Sequence, residues 1–175
     1  MIAYSAKEIP WRNGLGTTRQ LLIDPVDADL DSFSLRISSA KITSRRSDFS
    51  AFPNHRRILV VLSGGPIRLL HDNNGEWVEL KAMQTVHSFS GSSSTLCEVL
   101  AAEEPFPPVV DFNVMYAKDG AAWQCVLGPA KAEKGSFVFV AQGEFAGLKT
   151  GEMGRFDGDE DAQVPEGCCI VFKSK

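Results

Sequence analysis

The sequence of 175 residues has no long apolar run, no paired-cysteine motif and no sustained helical period. Each absence closes a class of explanation. No segment approaches the ~20 apolar residues that span a bilayer as a helix. The first residues lack the basic start, apolar stretch and small-residue cleavage site of a secretion signal. A cytoplasmic protein with no membrane partner is expected. Cys97, Cys125, Cys168 and Cys169 form no CxxC pair, and they read as small buried hydrophobes in a reducing compartment. Excess positive charge is missing as well. The formal net charge of −4 argues against nucleic acid and anionic lipid, so an anionic ligand would have to be met by a local cluster of arginines.

Familiar reaction motifs are also missing. GLGTT at Gly14–Thr18 lacks the lysine of a phosphate loop, and Arg19 stands where a dinucleotide fingerprint needs its third glycine. His55, His71 and His87 are evenly spaced by 16 residues, which invites a metal reading. None forms HxH or an i, i+4 pair, and His71 is expected to be exposed in the HDNNGE turn. Asp157, Asp159 and Asp161 alternate as in a calcium loop, but Ala162 and Cys168 occupy the positions needing glycine and glutamate. There is no GxSxG nucleophile motif. No metal and no cofactor are expected.

What the chain does have is strands. Short apolar stretches separated by Gly, Pro, Asn and Asp predict strands at Leu21–Ile23, Ser34–Ile42, Ile58–Ser63, Ile67–Leu70 and Trp77–Leu80. Further strands are expected at Thr95–Leu100, Val109–Tyr116, Trp123–Leu127, Phe137–Val140 and Cys169–Phe172. Asn74-Gly75 marks a hairpin turn. Close, regular spacing of this kind points to an all-β sandwich or barrel. The proline-rich Glu103–Val110 reads as a connection, dividing an N-terminal lobe (1–104) from a shorter C-terminal lobe (105–175).

Two strands alternate informatively. In SLRISSAKI, Leu35 and Ile37 oppose Arg36, Ser38 and Ala40; in VVDFNVMY, Val110, Phe112, Val114 and Tyr116 oppose Val109, Asp111, Asn113 and Met115. The second faces are small and hydrogen-bonding rather than rich in Lys and Glu. Either a solvated surface or a semi-polar lumen would give that pattern. Arg12, Arg19, Arg36, Arg56 and Arg57 lie in uncharged or aromatic company, and a guanidinium fork is the natural partner of a carboxylate.

Five fragments in order resemble the HutD/Ves family of cupin-like proteins. They are PWRNGLGTTRQL, LRIS, DFSAFPNHRRILVVLSG, FSG and DFNVM, with Leu35 departing from the family's usual Trp and Gln20 from a common acidic residue. The resemblance implies a two-lobed bicupin of antiparallel β-barrels of the cupin (RmlC-like jelly-roll) type. The segment matching the metal motif of other cupins offers one histidine and no glutamate, which again implies no metal. Family members are associated with histidine utilisation, where a formylglutamate-like intermediate is the suggested ligand, or with environmental stress.

The expected function is therefore metal-free binding of a small anionic metabolite, with a regulatory role. The expected ligand residues are Trp11, Asn13, Thr17, Thr18, Arg36, Ser38, Arg57, Asp111 and Asn113. Trp11 would supply an apolar wall, and the opening loop would either touch the ligand or only seal a barrel end. The alternative is a metal-independent, isomerase-like enzyme, for which Asp111 and His55 are the acid–base candidates. A homodimer and a module binding protein through an edge strand stay open.

Overall fold

The computed structural model describes residues 1–10, 16–72 and 74–174. No helix among them is long and apolar enough to cross a membrane. All the strand pairings are antiparallel, and the chain divides into two compact units, Lys7–Gly120 and Met1–Ala6 with Ala121–Lys175. In chain order the strands begin β1 (Ile2–Tyr4), β2 (Lys7–Pro10), β3 (Gly16–Asp24), β4 (Leu35–Ile42), β5 (Arg46–Phe49) and β6 (His55–Ser63). They continue with β7 (Ile67–His71), β8 (Trp77–Leu80), β9 (Val86–Ser90), β10 (Thr95–Val99), β11 (Val109–Ala117) and β12 (Trp123–Leu127). The remainder are β13 (Ala130–Ala132), β14 (Phe137–Val140), β15 (Glu144–Phe145), β16 (Leu148–Lys149), β17 (Met153–Arg155), β18 (Ala162–Val164) and β19 (Cys168–Lys173).

The Lys7–Gly120 unit is built from a six-stranded sheet, ordered β2-β3-β4-β11-β6-β9, and a four-stranded sheet, ordered β5-β10-β7-β8. Alternating apolar residues explain why the sheets pack. Ile42, Leu59, Val61 and Val109 from the first sheet meet Ile67, Leu69, Leu80, Cys97 and Val99 from the second in one buried cluster. The Asn74-Gly75 hairpin forms as expected: β7 pairs with β8, and Gly75 takes φ +84°, a conformation glycine adopts without penalty.

The other unit carries the sheet β1-β17-β14-β19-β12 and two small ribbons, β13-β18 and β15-β16. Its core gathers Ala132, Val138, Val140, Leu148, Val164, Cys168 and Ile170. All four cysteines are free and buried.

Two expectations need correction. The division at Glu104/Pro105 does not follow the hydrogen bonding. β11, which lies beyond that point, is flanked by β4 and β6 and sits inside the six-stranded sheet, so the units part near Gly120 instead. The proline-rich stretch carries the chain from β10 in the four-stranded sheet into β11 in the six-stranded sheet, within one unit. Among the described residues the strand orders also run from edge to edge as open sheets, without the closure of a barrel.

Candidate functional site

Residues directly opposite on neighbouring antiparallel strands project to the same face. The register of the six-stranded sheet therefore sorts its side chains into rows. One row runs Arg36, Met115, Arg57, Phe89, and the next runs Gln20, Ser38, Asn113, Leu59, His87. A third runs Thr18, Ala40, Asp111, Val61. Val61, Leu59 and Phe89 belong to the cluster facing the four-stranded sheet, so these rows line the interior of the unit.

The two arginines that the sequence singled out are thus inside. Arg36 is 7% exposed and Arg57 5%. Arg36 Nε donates to Gln20 Oε1 at 3.0 Å, and Arg57 Nη1 donates to the Ser50 carbonyl at 3.2 Å. Among the described residues neither guanidinium forms an ion pair, and Arg57 Nε has no hydrogen-bond partner. Aromatic faces surround Arg57 instead, with ring centroids of Phe49, Phe89 and Phe52 at 5.0, 5.2 and 5.9 Å from its guanidinium carbon. Such contacts offset part of the cost of desolvating a cation. Burial pulls the Arg57 pKa down to about 10, with the negative charge of Asp111 opposing that shift and the like charge of Arg36 adding to it. Burial also lowers that of Arg36.

Asp111 and Asn113 follow on the same face of β11. Asp111 Oδ1 accepts the Ala40 N–H at 3.1 Å. Burial pushes its carboxyl up to about 7, against the opposing effects of that hydrogen bond and of Arg57. Asn113 Oδ1 is buried with no partner among the described residues. An acceptor, a carboxyl that titrates near neutrality and two guanidinium groups therefore converge on adjacent rows. This set can hold an anion and can also exchange a proton with it.

Of the expected ligand residues, Thr18, Arg36, Ser38, Arg57, Asp111 and Asn113 share this face. Thr17 does not. It alternates to the opposite face, opposite Pro10 and Lys41. Trp11 and Asn13 lie outside the described residues. Gln20, Phe49, Phe89 and His87 were not foreseen as site residues. Gln20 shares the face of Thr18 by ordinary alternation, just ahead of a bulge that shifts the register of β3 between Gln20 and Leu22.

The loop carrying Phe52 is held by a close backbone approach. Phe52 N–H donates to the Gly91 carbonyl at 2.7 Å, and Gly91 N–H to the His55 carbonyl at 2.9 Å. A Cβ at Gly91 would sit on the Phe52 and His55 carbonyl oxygens, so the glycine of the FSG fragment is a packing requirement. His55 itself is buried, stacks on Phe33 at 4.0 Å and places Nε2 2.8 Å from the Phe33 carbonyl. A cavity of about 390 Å³ beside it is lined by Asp31, Ser32, Phe33, Asn54, His55, Ala117, Lys118 and Asp119. None of the expected ligand residues that the structure describes contributes to that lining.

The three evenly spaced histidines separate into a pair and a single residue. His71 is not exposed in its turn as expected; it ends β7, partly buried, with Nε2 2.9 Å from His87 Nε2. Among the described residues no three His, Cys, Asp or Glu side chains form a group able to hold a metal ion.

With this geometry in view, comparison with known proteins is informative. Over 109 residues the chain is 35% identical to an uncharacterized 21.2 kDa protein in the hutC 3' region of Pseudomonas putida, covering 62% of this chain and 53% of that protein. The chain thus spans about half the length of that relative. It is 28% identical over 147 residues to Protein Ves of Cronobacter sakazakii, covering 80% of this chain and 76% of that one. Its fold is similar to that of HutD from Pseudomonas fluorescens SBW25, with TM-score 0.77 and 24% identity over 99% of this chain and 98% of that one. The family model for HutD matches residues 3–158, and the chain belongs to the HutD family.

Proposed function

We propose that the Lys7–Gly120 unit binds a small carboxylic acid through Arg36 and Arg57 without the help of a metal. One observation carries the reading: two guanidinium groups are buried on one sheet face with no ion pair among the described residues. Desolvating a cation without an ion-pair partner is unfavourable by several kcal/mol, and a carboxylate guest would offset that. Ser38, Thr18 and Asn113 would meet the guest's second polar end. The family context makes formylglutamate the first acid to try, and it supports a regulatory role in histidine utilisation or stress. The Pseudomonas putida relative is described by its place beside hutC, which favours the former. On this reading the architecture is a two-lobed cupin type, and the protein works in a reducing cytoplasm on a small anionic metabolite rather than on nucleic acid or membrane.

Calorimetric titration with formylglutamate, glutamate and urocanate tests the proposal. Wild type should bind at least one of them, and Arg36→Ala should weaken that binding about 100-fold. A ligand at about 100 times its Kd should also add about 2.7 kcal/mol of stability, a change visible on thermal unfolding. If none of the three acids binds, the proposal fails.

A second reading has a specific observation behind it. Asp111, with its carboxyl pushed up to about 7 in the same interior, is tuned for proton transfer near neutral pH. An isomerase-like enzyme would use it as acid or base. Proton NMR of each acid incubated with protein separates the two readings: conversion that disappears in Asp111→Asn while binding persists identifies an enzyme.

A further inference from the structure

The histidine pair joins the two sheets of the Lys7–Gly120 unit, and its protonation can be worked out from its neighbours. His71 ends β7 in the four-stranded sheet, and His87 lies on β9 at the edge of the six-stranded sheet. Both rings lean on Phe89, at centroid distances of 4.6 and 5.4 Å. The Thr95 hydroxyl donates its proton to the Ser93 carbonyl at 3.2 Å, so it must accept from His71 Nδ1–H at 2.9 Å. In neutral His71 the proton therefore sits on Nδ1, and Nε2 carries a lone pair directed at His87 Nε2, 2.9 Å away. Donation of the far ring N–H to a fixed acceptor, which sets the tautomer, is the kind of support that metal-ligating histidines receive, there from carboxylates, carbonyls or water and here from a hydroxyl.

The geometry points to a two-histidine site for a divalent transition ion of borderline softness, such as zinc, with His71 Nε2 and His87 Nε2 as ligands and water completing the shell. Zinc–nitrogen bonds of about 2.0–2.1 Å at a tetrahedral angle set the two nitrogens roughly 3.3 Å apart. The two nitrogens would have to separate by a few tenths of an ångström, and each ring to turn by roughly 35° so that both lone pairs meet at the ion. His87 would change tautomer, releasing its Nε2 proton to solvent and taking one up at Nδ1, while His71 already presents the ligating form. Burial holds both imidazoles below their usual pKa, with Asp72 opposing this at His71, Arg57 adding to it there, and His71 adding to it at His87. Spacing along the chain hides such a site because its ligands come from different sheets. Neither Arg36 nor Arg57 is a ligand in it, and it does not require the acid to bind, so the two proposals are tested separately.

The test is calorimetric titration of the metal-free, untagged full chain with Zn²⁺ in a non-coordinating buffer. Saturable binding of one ion per chain is expected, weakened at least tenfold in His87→Ala and about tenfold in Thr95→Val. Imidazole nitrogen NMR of wild type gives a readout that needs no variant to fold: Zn²⁺ should shift Nε2 of His71 and His87 and leave His55 unmoved. Absence of saturable binding overturns the proposal, as would undiminished affinity in a folded His87→Ala or shifts confined to other groups.

Discussion

The two units bury different chemistry. In the unit formed by Met1–Ala6 and Ala121–Lys175, the core is aliphatic, aromatic and thiol, and Ser136 is its one buried polar residue among those described. In the Lys7–Gly120 unit, Arg36, Arg57, Asp111, Asn113 and His55 lie under the surface beside an equally aliphatic cluster. Antiparallel sheets of similar make close over an interior without charge in the first case. The architecture therefore does not require the charges found in the second. They cost stability where they stand, and an occupant of matching charge is the simplest reason for keeping them.

The sharpest way to break this contrast is to titrate the interior of the charged unit. The Asp111 carboxyl is held up to about 7, while the same group in the unfolded chain titrates near 3.9. Between those values the folded chain keeps a proton that the unfolded chain has released. The stability that this group contributes is full below about pH 4 and is lost as pH rises through 7. Across that window the loss amounts to about 4 kcal/mol. Urea unfolding of wild type and Asp111→Asn from pH 4 to 8 should show curves that converge or cross, with the decline confined to wild type. Parallel curves would mean that the carboxyl is not held in a dry interior, and the contrast would lose its main support.

A smaller effect compares one deletion in each unit. Ile170 is fully buried in the apolar core, and Ile170→Ala should cost about 3 kcal/mol through lost transfer energy and a residual cavity. Arg57→Met replaces a desolvated cation by an apolar side chain among Phe49, Phe52 and Phe89, so stability should change by less than about 1 kcal/mol. Denaturant midpoints measure both. Should Arg57→Met prove as damaging as Ile170→Ala, the arginine would be a structural member and not a group awaiting a ligand.

How far the sequence revealed these interiors follows from what periodicity encodes. Strands with strong alternation or apolar runs, such as Trp77–Leu80 and Phe137–Val140, are legible to the residue. Alternation also puts Arg36 with Ser38, and Asp111 with Asn113, on one face of each strand, but it leaves open whether that face is solvated or interior, because the opposite face is the apolar one. Short strands such as Ile2–Tyr4 and Arg46–Phe49 are not legible, since three or four residues carry no pattern and only pairing makes them strands. Thr17 and Thr18 are neighbours and cannot share a face, but the expected strand began only at Leu21 and so gave no alternation to separate them. The membership of β11 depends on which strands it joins, and the Pro-rich stretch before it suggests a boundary that the pairing ignores. His71 and His87 meet across two sheets, a relation the chain's order does not contain.

The smallest expected effect lies on the two surfaces. Arg68 and Glu98 sit directly opposite on β7 and β10, with Arg68 Nε at 2.7 Å and Nη2 at 2.6 Å from Glu98 Oε2. The same guanidinium lies 4.2 Å from the Trp77 ring centroid, so pairing, stacking and partial burial act together. Lys134 and Asp159, in the other unit, approach to 2.6 Å but are 64% and 90% exposed. A flexible exposed pair gains little, because solvent screens it and both side chains lose freedom. Arg68→Ala should therefore cost about 1 kcal/mol, and Lys134→Ala should stay within about 0.5 kcal/mol of wild type. Repeating both unfolding measurements at 0.5 M NaCl separates the causes. The Arg68 effect should persist because much of it is stacking and packing, while any Lys134 effect should vanish with the screened charge. A salt-insensitive Lys134 effect of 1 kcal/mol or more would show that the exposed acidic turn is held by packing rather than by charge.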